Sequence, residues 1–111
     1  MITITYKAKG KKHKLSIEGH AESGEVGKDL VCCAVSTLFY TLAQSMIEAN
    51  HEGMLAKAPS IHEEKGNGTI SCISNGRFQP NVSLIWWPII NGFMLLEENY
   101  PKNIKFFKKI K

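Results

Sequence analysis

Cysteine is scarce in these 111 residues: Cys32, Cys33 and Cys72 form no CxxC pair, and no second Cys/His cluster completes four zinc ligands. A metal site therefore lacks ligands, and no cofactor is expected. The odd count also argues against a disulfide framework in what reads as a reducing compartment. The opening MITITYKAKGKK has no basic start, apolar run or small-residue cleavage site of a secretory signal. A cytoplasmic location is the expectation. The most apolar window, 82–96, is fifteen residues long and interrupted by Pro88, Asn91 and Gly92, so it reads as a buried helix and no membrane partner is expected. Repeats and low-complexity linkers are also missing. With 43% hydrophobic and 22% charged residues, the chain has the composition of one soluble globular domain spanning 1–111.

What is present reads as seven elements. Ile2, Ile4 and Tyr6 alternate with Thr3, Thr5 and Lys7, the period of a half-buried strand, and a turn leads into a second strand carrying His13, Leu15 and Ile17. Residues 20–28 contain two glycines and no periodicity, the signature of an exposed loop. Asp29 then reads as the N-cap of a helix whose Val31, Val35, Leu38, Leu42, Met46 and Ala49 recur at helical spacing to about Asn50. A strand within 54–64, a KGNG turn and TISCISN follow, the last with Ile70, Cys72 and Ser74 on one face. A second helix is expected over about Asn81 to Asn99, either kinked by Pro88 or starting there. A final strand follows Tyr100-Pro101. The order β-β-α-β-β-α-β predicts a two-layer α+β fold, helices packed on a mainly antiparallel sheet.

The net charge of +4 comes from lysines at the two ends: Lys7, Lys9, Lys11, Lys12 and Lys14, then Lys102, Lys105, Lys108, Lys109 and Lys111. If the terminal strands are neighbours, these make one basic face suited to RNA or an acidic partner. The plainer reading, favoured on sequence because no aromatic-interleaved motif accompanies them, is that they solubilise the ends and guard edge strands.

The stretch GHAESGEVGKDLVCCAVS, 19–36, gathers candidate chemistry. At 100° per residue, Cys32 falls at the margin of the first helix's buried arc and Cys33 on the opposite side with Tyr40 and Ile47. In the first turn, free N–H groups and the positive dipole end favour a thiolate at Cys32 and could receive an oxyanion. His20, twelve residues upstream beyond a glycine-containing loop, is a candidate base. Asp29 either caps the helix or orients His20, and Ser36 shares the Cys32 face one turn on. Equally, a cysteine beginning a helix can be a small apolar core residue and a histidine after a strand a surface group. Cys33, Cys72, His13, His51 and His62 read as structural or solvent-exposed.

GHA at 19–21 followed by GKDLVCCAVS at 27–36 closely resembles the active-site signature of the ribosomal-processing cysteine proteases, the Prp family. The opening hairpin, NGF in the second helix and ENYPKNIKF near the end are similar in weaker form. The resemblance implies Cys32 as nucleophile, His20 as base, and Asp29 and Ser36 beside them. It implies a homodimeric α+β cytoplasmic endopeptidase that removes the N-terminal extension of large-subunit ribosomal protein twenty-seven, cutting after an aromatic residue. Gly24 and Gly27 would be hinges of a loop closing over the peptide. The competing expectation is a non-enzymatic ribosome- or RNA-binding module using the lysine-rich face. Two features depart from the family pattern: Cys33, where a small residue is usual, and Trp86-Trp87-Pro88, whose aromatics read as core packing before a peptide pocket.

Overall fold

The computed structural model describes residues 1–19 and 28–111, with backbone alone at 28 and 29. Strands β1 (Ile2–Lys9) and β2 (Lys12–Glu18) form the expected hairpin, followed by helix α1 (Lys28–His51). Strands β3 (Ser60–Glu64) and β4 (Asn67–Ile73) form a second hairpin. A 3-10 turn at Gly76–Phe78 then leads into helix α2 (Gln79–Asn99) and strand β5 (Ile104–Ile110). The two helices pack on a five-stranded sheet of order β3-β4-β2-β1-β5. Among the described strands only the β1–β5 pair is parallel.

Alternation dictates which sheet face is covered. Ile2, Ile4 and Tyr6 of β1, His13, Leu15 and Ile17 of β2, and Ile70 and Cys72 of β4 are buried beneath the helices. Val31, Val35, Phe39, Leu42, Met46 and Ala49 of α1 meet Val82, Trp86, Ile89, Ile90 and Phe93 of α2 in the same core. Among the described residues, the opposite sheet face carries no helix.

Several boundaries differ from the sequence expectation. Helix α1 starts at Lys28, so Asp29 lies inside its first turn instead of capping it from outside. Helix α2 starts two residues before Asn81, because Asn75 caps the preceding 3-10 turn and Pro80 fits the helix's first positions, where no N–H is needed. Pro88 lies within α2 and does not start it. Its ring withholds the donor that the Leu84 carbonyl would use, and both residues are solvent-exposed. Leu30–His51 of α1 is long and apolar enough, by length and composition, to cross a bilayer, a test that a buried core helix also meets. Here it serves as a core helix of the sheet.

The tryptophans divide. Trp86 is fully buried, stacked with Tyr6 and His13 at centroid distances of 5.6 and 5.1 Å, and its indole N–H donates to the Met46 sulfur. Trp87 is 63% exposed, so core packing, expected for both, holds for Trp86 only. The His13 Nδ1 pairs with the Tyr6 hydroxyl at 2.8 Å. Burial lowers the His13 pKa from 6.5 and, with the nearby Cys72, raises that of Tyr6.

Replacing Trp86 by Ala should cost about 3–5 kcal/mol, and Trp87 by Ala less than about 1 kcal/mol, in urea unfolding. The His13 shift carries a second expectation. Between its folded pKa and 6.5 the unfolded chain holds a proton that the native imidazole does not. Its contribution to stability is therefore complete above 6.5 and lost as pH falls through the folded value. The urea midpoint of the wild type should drop more steeply from about pH 7.5 to 5.5 than that of His13→Gln. Equal slopes would refute the assignment.

Candidate active site

One end of the sheet and the start of α1 enclose a cleft. Its walls are Ile2 at the head of β1, Ile17 and Gly19 at the end of β2, the α1 residues Cys32, Val35, Ser36, Phe39 and Tyr40, and the β3–β4 hairpin from Glu63 to Gly68. Each wall follows from packing. Val35 and Phe39 are buried, and that turns the intervening helix face, with Cys32 and Ser36 one turn apart, toward the cleft. Gly68 lies so close beneath Phe39 that a Cβ there would stand 2.9 Å from its ring. Any larger residue would force the Phe39 ring to shift.

Gly19 closes the other side. Its φ of 95° is a conformation that L side chains rarely adopt, and an added Cβ would sit against the Met1 carbonyl oxygen. Its N–H donates to the Gly66 carbonyl at 2.8 Å, pinning the end of β2 to the β3–β4 turn. On the hairpin rim, the Tyr40 hydroxyl donates to Glu63 Oε1, which raises the Tyr40 pKa.

Cys32 is half-buried against the core, whereas Cys33 is exposed on the far side of α1, as the helical wheel indicates. Since α1 begins at Lys28, Cys32 opens the second turn, not the first. The N–H groups free of the helical ladder belong to the preceding turn. Helical Cα–Cβ bonds tilt toward the N-terminus, so the cysteine side chain leans back toward them. Ser36 shares the cleft, but its hydroxyl makes no hydrogen bond to the sulfur. Cys72 is buried in the core, where desolvation pushes its thiol up to about 11. His13 is buried, and His51 and His62 are exposed. His20, Gly24 and Gly27, and the loop-closure expectation with them, lie outside the described residues, as does the side chain of Asp29.

Phe39, Tyr40, Glu63, Glu64 and Gly68 are cleft residues that sequence reading did not single out. The helical wheel puts Tyr40 on the outer helix face with Cys33, and it is half exposed, but its hydroxyl also reaches over to Glu63 of β3. That β3 lies there is a matter of strand order, which local pattern does not carry. Among the described residues, no group of three His, Cys, Asp or Glu side chains could hold a metal ion.

Comparison with known proteins converges on one family. The chain is 26% identical over 104 residues to the ribosomal processing cysteine protease Prp of Staphylococcus aureus, covering 94% of this chain and 93% of the relative. The crystal structure of SMU.848 from Streptococcus mutans superposes with a TM-score of 0.66 at 26% identity, over 100% of this chain and 96% of that one. The Staphylococcus aureus Prp structure with a covalently linked product peptide gives a TM-score of 0.67 at 25% identity, over 98% and 100%. The sequence profile described as Cysteine protease Prp matches residues 1–105, taking in every wall of the cleft. This chain belongs to the Prp family of ribosomal processing cysteine proteases.

Proposed function

We propose that this cysteine protease removes the N-terminal extension of large-subunit ribosomal protein twenty-seven, using Cys32 as nucleophile and His20 as its base. The observation that carries the reading is that Cys32 and Gly19, the residue preceding His20 in the chain, line the same cleft. His20 takes the proton from Cys32 Sγ, and the thiolate adds to the scissile carbonyl carbon. N–H groups of the first turn of α1 receive the oxyanion. When the tetrahedral centre collapses, the C–N bond breaks and His20 protonates the departing amine. Water then hydrolyses the thioester and releases the thiol. The product peptide linked covalently to the Staphylococcus aureus relative supports the acyl-enzyme step.

The apolar side of the cleft, from Ile2 and Ile17 to Val35 and Phe39, suits an aromatic residue ahead of the cut. Asp29 and Ser36 are supporting residues of this site. The Gly24 and Gly27 hinges, closing over bound peptide, belong to the same proposal. So does a cytoplasmic homodimer. Leu84, Trp87, Met94 and Leu95, an exposed apolar stripe on one side of α2, support pairing. Family membership sets aside the non-enzymatic alternative.

Mixing the protein with its host's ribosomal protein twenty-seven and reading the new N-terminus by mass spectrometry tests the substrate. Cys32→Ala should lower kcat/KM by about 10³-fold or more with the fold intact, whereas Cys33→Ala should stay within about threefold. The reverse pattern would overturn the assignment. Iodoacetamide mapping should find Cys32 and Cys33 modified in the native protein and Cys72 only after unfolding.

A further inference from the structure

The sheet face that neither described helix covers is strongly basic at one end. Lys109 of β5, Lys7 of β1 and Lys14 of β2 are direct cross-strand partners in one row, and Lys9 faces Lys12 in the next. Neighbouring strands lie about 4.8 Å apart and successive same-face residues about 7 Å apart, so these amines crowd within roughly 10 Å. Like charges directly opposite in a sheet are unfavourable. No described carboxylate pairs with any of them. With Lys111 they border a single shallow concavity, and Ser71 of β4 extends the first row.

Edge protection does not account for this cluster. The edges of the sheet are β3 and β5, and four of these lysines stand on the interior strands β1 and β2, flanked on both sides. A charge row across central strands costs stability and guards nothing. It calls for a polyanion.

The next row of the same face is Phe107, Thr5, Ser16, Thr69 and His62 in register across all five strands, with Phe107 half exposed. Amines for phosphates, hydroxyls for phosphate and ribose oxygens, and a ring on which a base can stack are what a sheet offers a single RNA strand. An anionic membrane would want more insertable apolar surface than Phe107 and Ile73 provide. We infer that this open sheet face is a docking surface for the phosphate backbone of RNA, on the side of the protein away from the Cys32 cleft. The inference does not depend on which peptide is cut.

The test is fluorescence anisotropy of the full chain with a labelled single-stranded oligouridine of about 20 nucleotides. Affinity should fall with salt, with a log–log slope of about −2 to −4, as expected for three to six phosphate contacts. Combining Lys7→Gln, Lys14→Gln and Lys109→Gln should weaken binding at least about tenfold and flatten the slope. The pair Lys57→Gln and Lys65→Gln, outside the patch, should leave it unchanged. Should the triple variant misfold by circular dichroism, Lys14→Gln and Phe107→Ala, each alone, should weaken binding. No RNA binding at about 50 mM salt, or equal affinity in the patch variants, would overturn the inference. So would tighter binding to phosphatidylserine-containing vesicles than to the RNA.

Discussion

Val31, Val35, Phe39, Leu42 and Met46 lie along one side of α1, all buried, and their burial fixes the rotation of the helix about its axis. Each such side chain contributes about 1.5–3 kcal/mol when removed from water. Turning α1 by one residue would expose most of them at a cost on the order of 10 kcal/mol, comparable with the whole stability of a small domain. That penalty distinguishes two adjacent, chemically identical thiols. It holds Cys32 at the cleft and Cys33 in solvent, though nothing in either side chain differs. Gly68 is the counterpart on the sheet: with no side chain, it lets the Phe39 ring settle against β4, and α1 lies as close as the cleft requires.

At the other end of the core, packing suppresses chemistry instead of exposing it. Tyr6, His13 and Trp86 stack with Cys72 nearby, four polar-capable side chains in an apolar interior. Desolvation moves each of the three titratable groups toward its neutral form: His13 downward, Tyr6 and Cys72 upward. Only one hydrogen bond joins Tyr6 to His13, and among the described residues His13 Nε2 is left without a partner. A buried histidine beside a buried cysteine has the composition of a catalytic pair. Here the imidazole is engaged with a phenol and the thiol is held protonated, so the pair is inert.

The fold was legible wherever burial imposes a period. Alternation in β1 and β2, and the 3.6-residue recurrence in α1, each report one buried face, and each element formed as read. Strand β3 was placed only loosely, because SIHEE lies at a sheet edge with four of its five residues exposed and has almost no apolar signal. The start of α2 was missed because a 3-10 turn carries the chain into the helix and Pro80 permits an earlier beginning than Asn81. Of the site, Cys32 against Cys33 could be read from a helical wheel, since both lie on one element. The cleft's far wall could not: Glu63, Glu64 and Gly68 reach Cys32 through strand order, a long-range property. Strand order also decides what the lysines mean. A lysine-rich hairpin reads alike whether its strands are central or peripheral, and only the sequence β3-β4-β2-β1-β5 shows that they are central.

The same strands carry both ends of this division. The cleft takes the first residue of β1 and the penultimate one of β2, while the lysines take the last of β1 and the first of β2. From Ile2 to Lys9 is seven residue steps, roughly 23 Å of extended chain. At physiological salt the Debye length is about 8 Å, so a charge at one end is screened nearly twentyfold at the other. Glu63 and Glu64 line the cleft, whereas Lys7, Lys9, Lys12, Lys14 and Lys109 cluster at the far end of the open face. A peptide at Cys32 therefore meets an environment that the basic patch scarcely perturbs, whatever charge the peptide carries. An overall charge of +4 describes neither region, because screening makes each respond to its own neighbours.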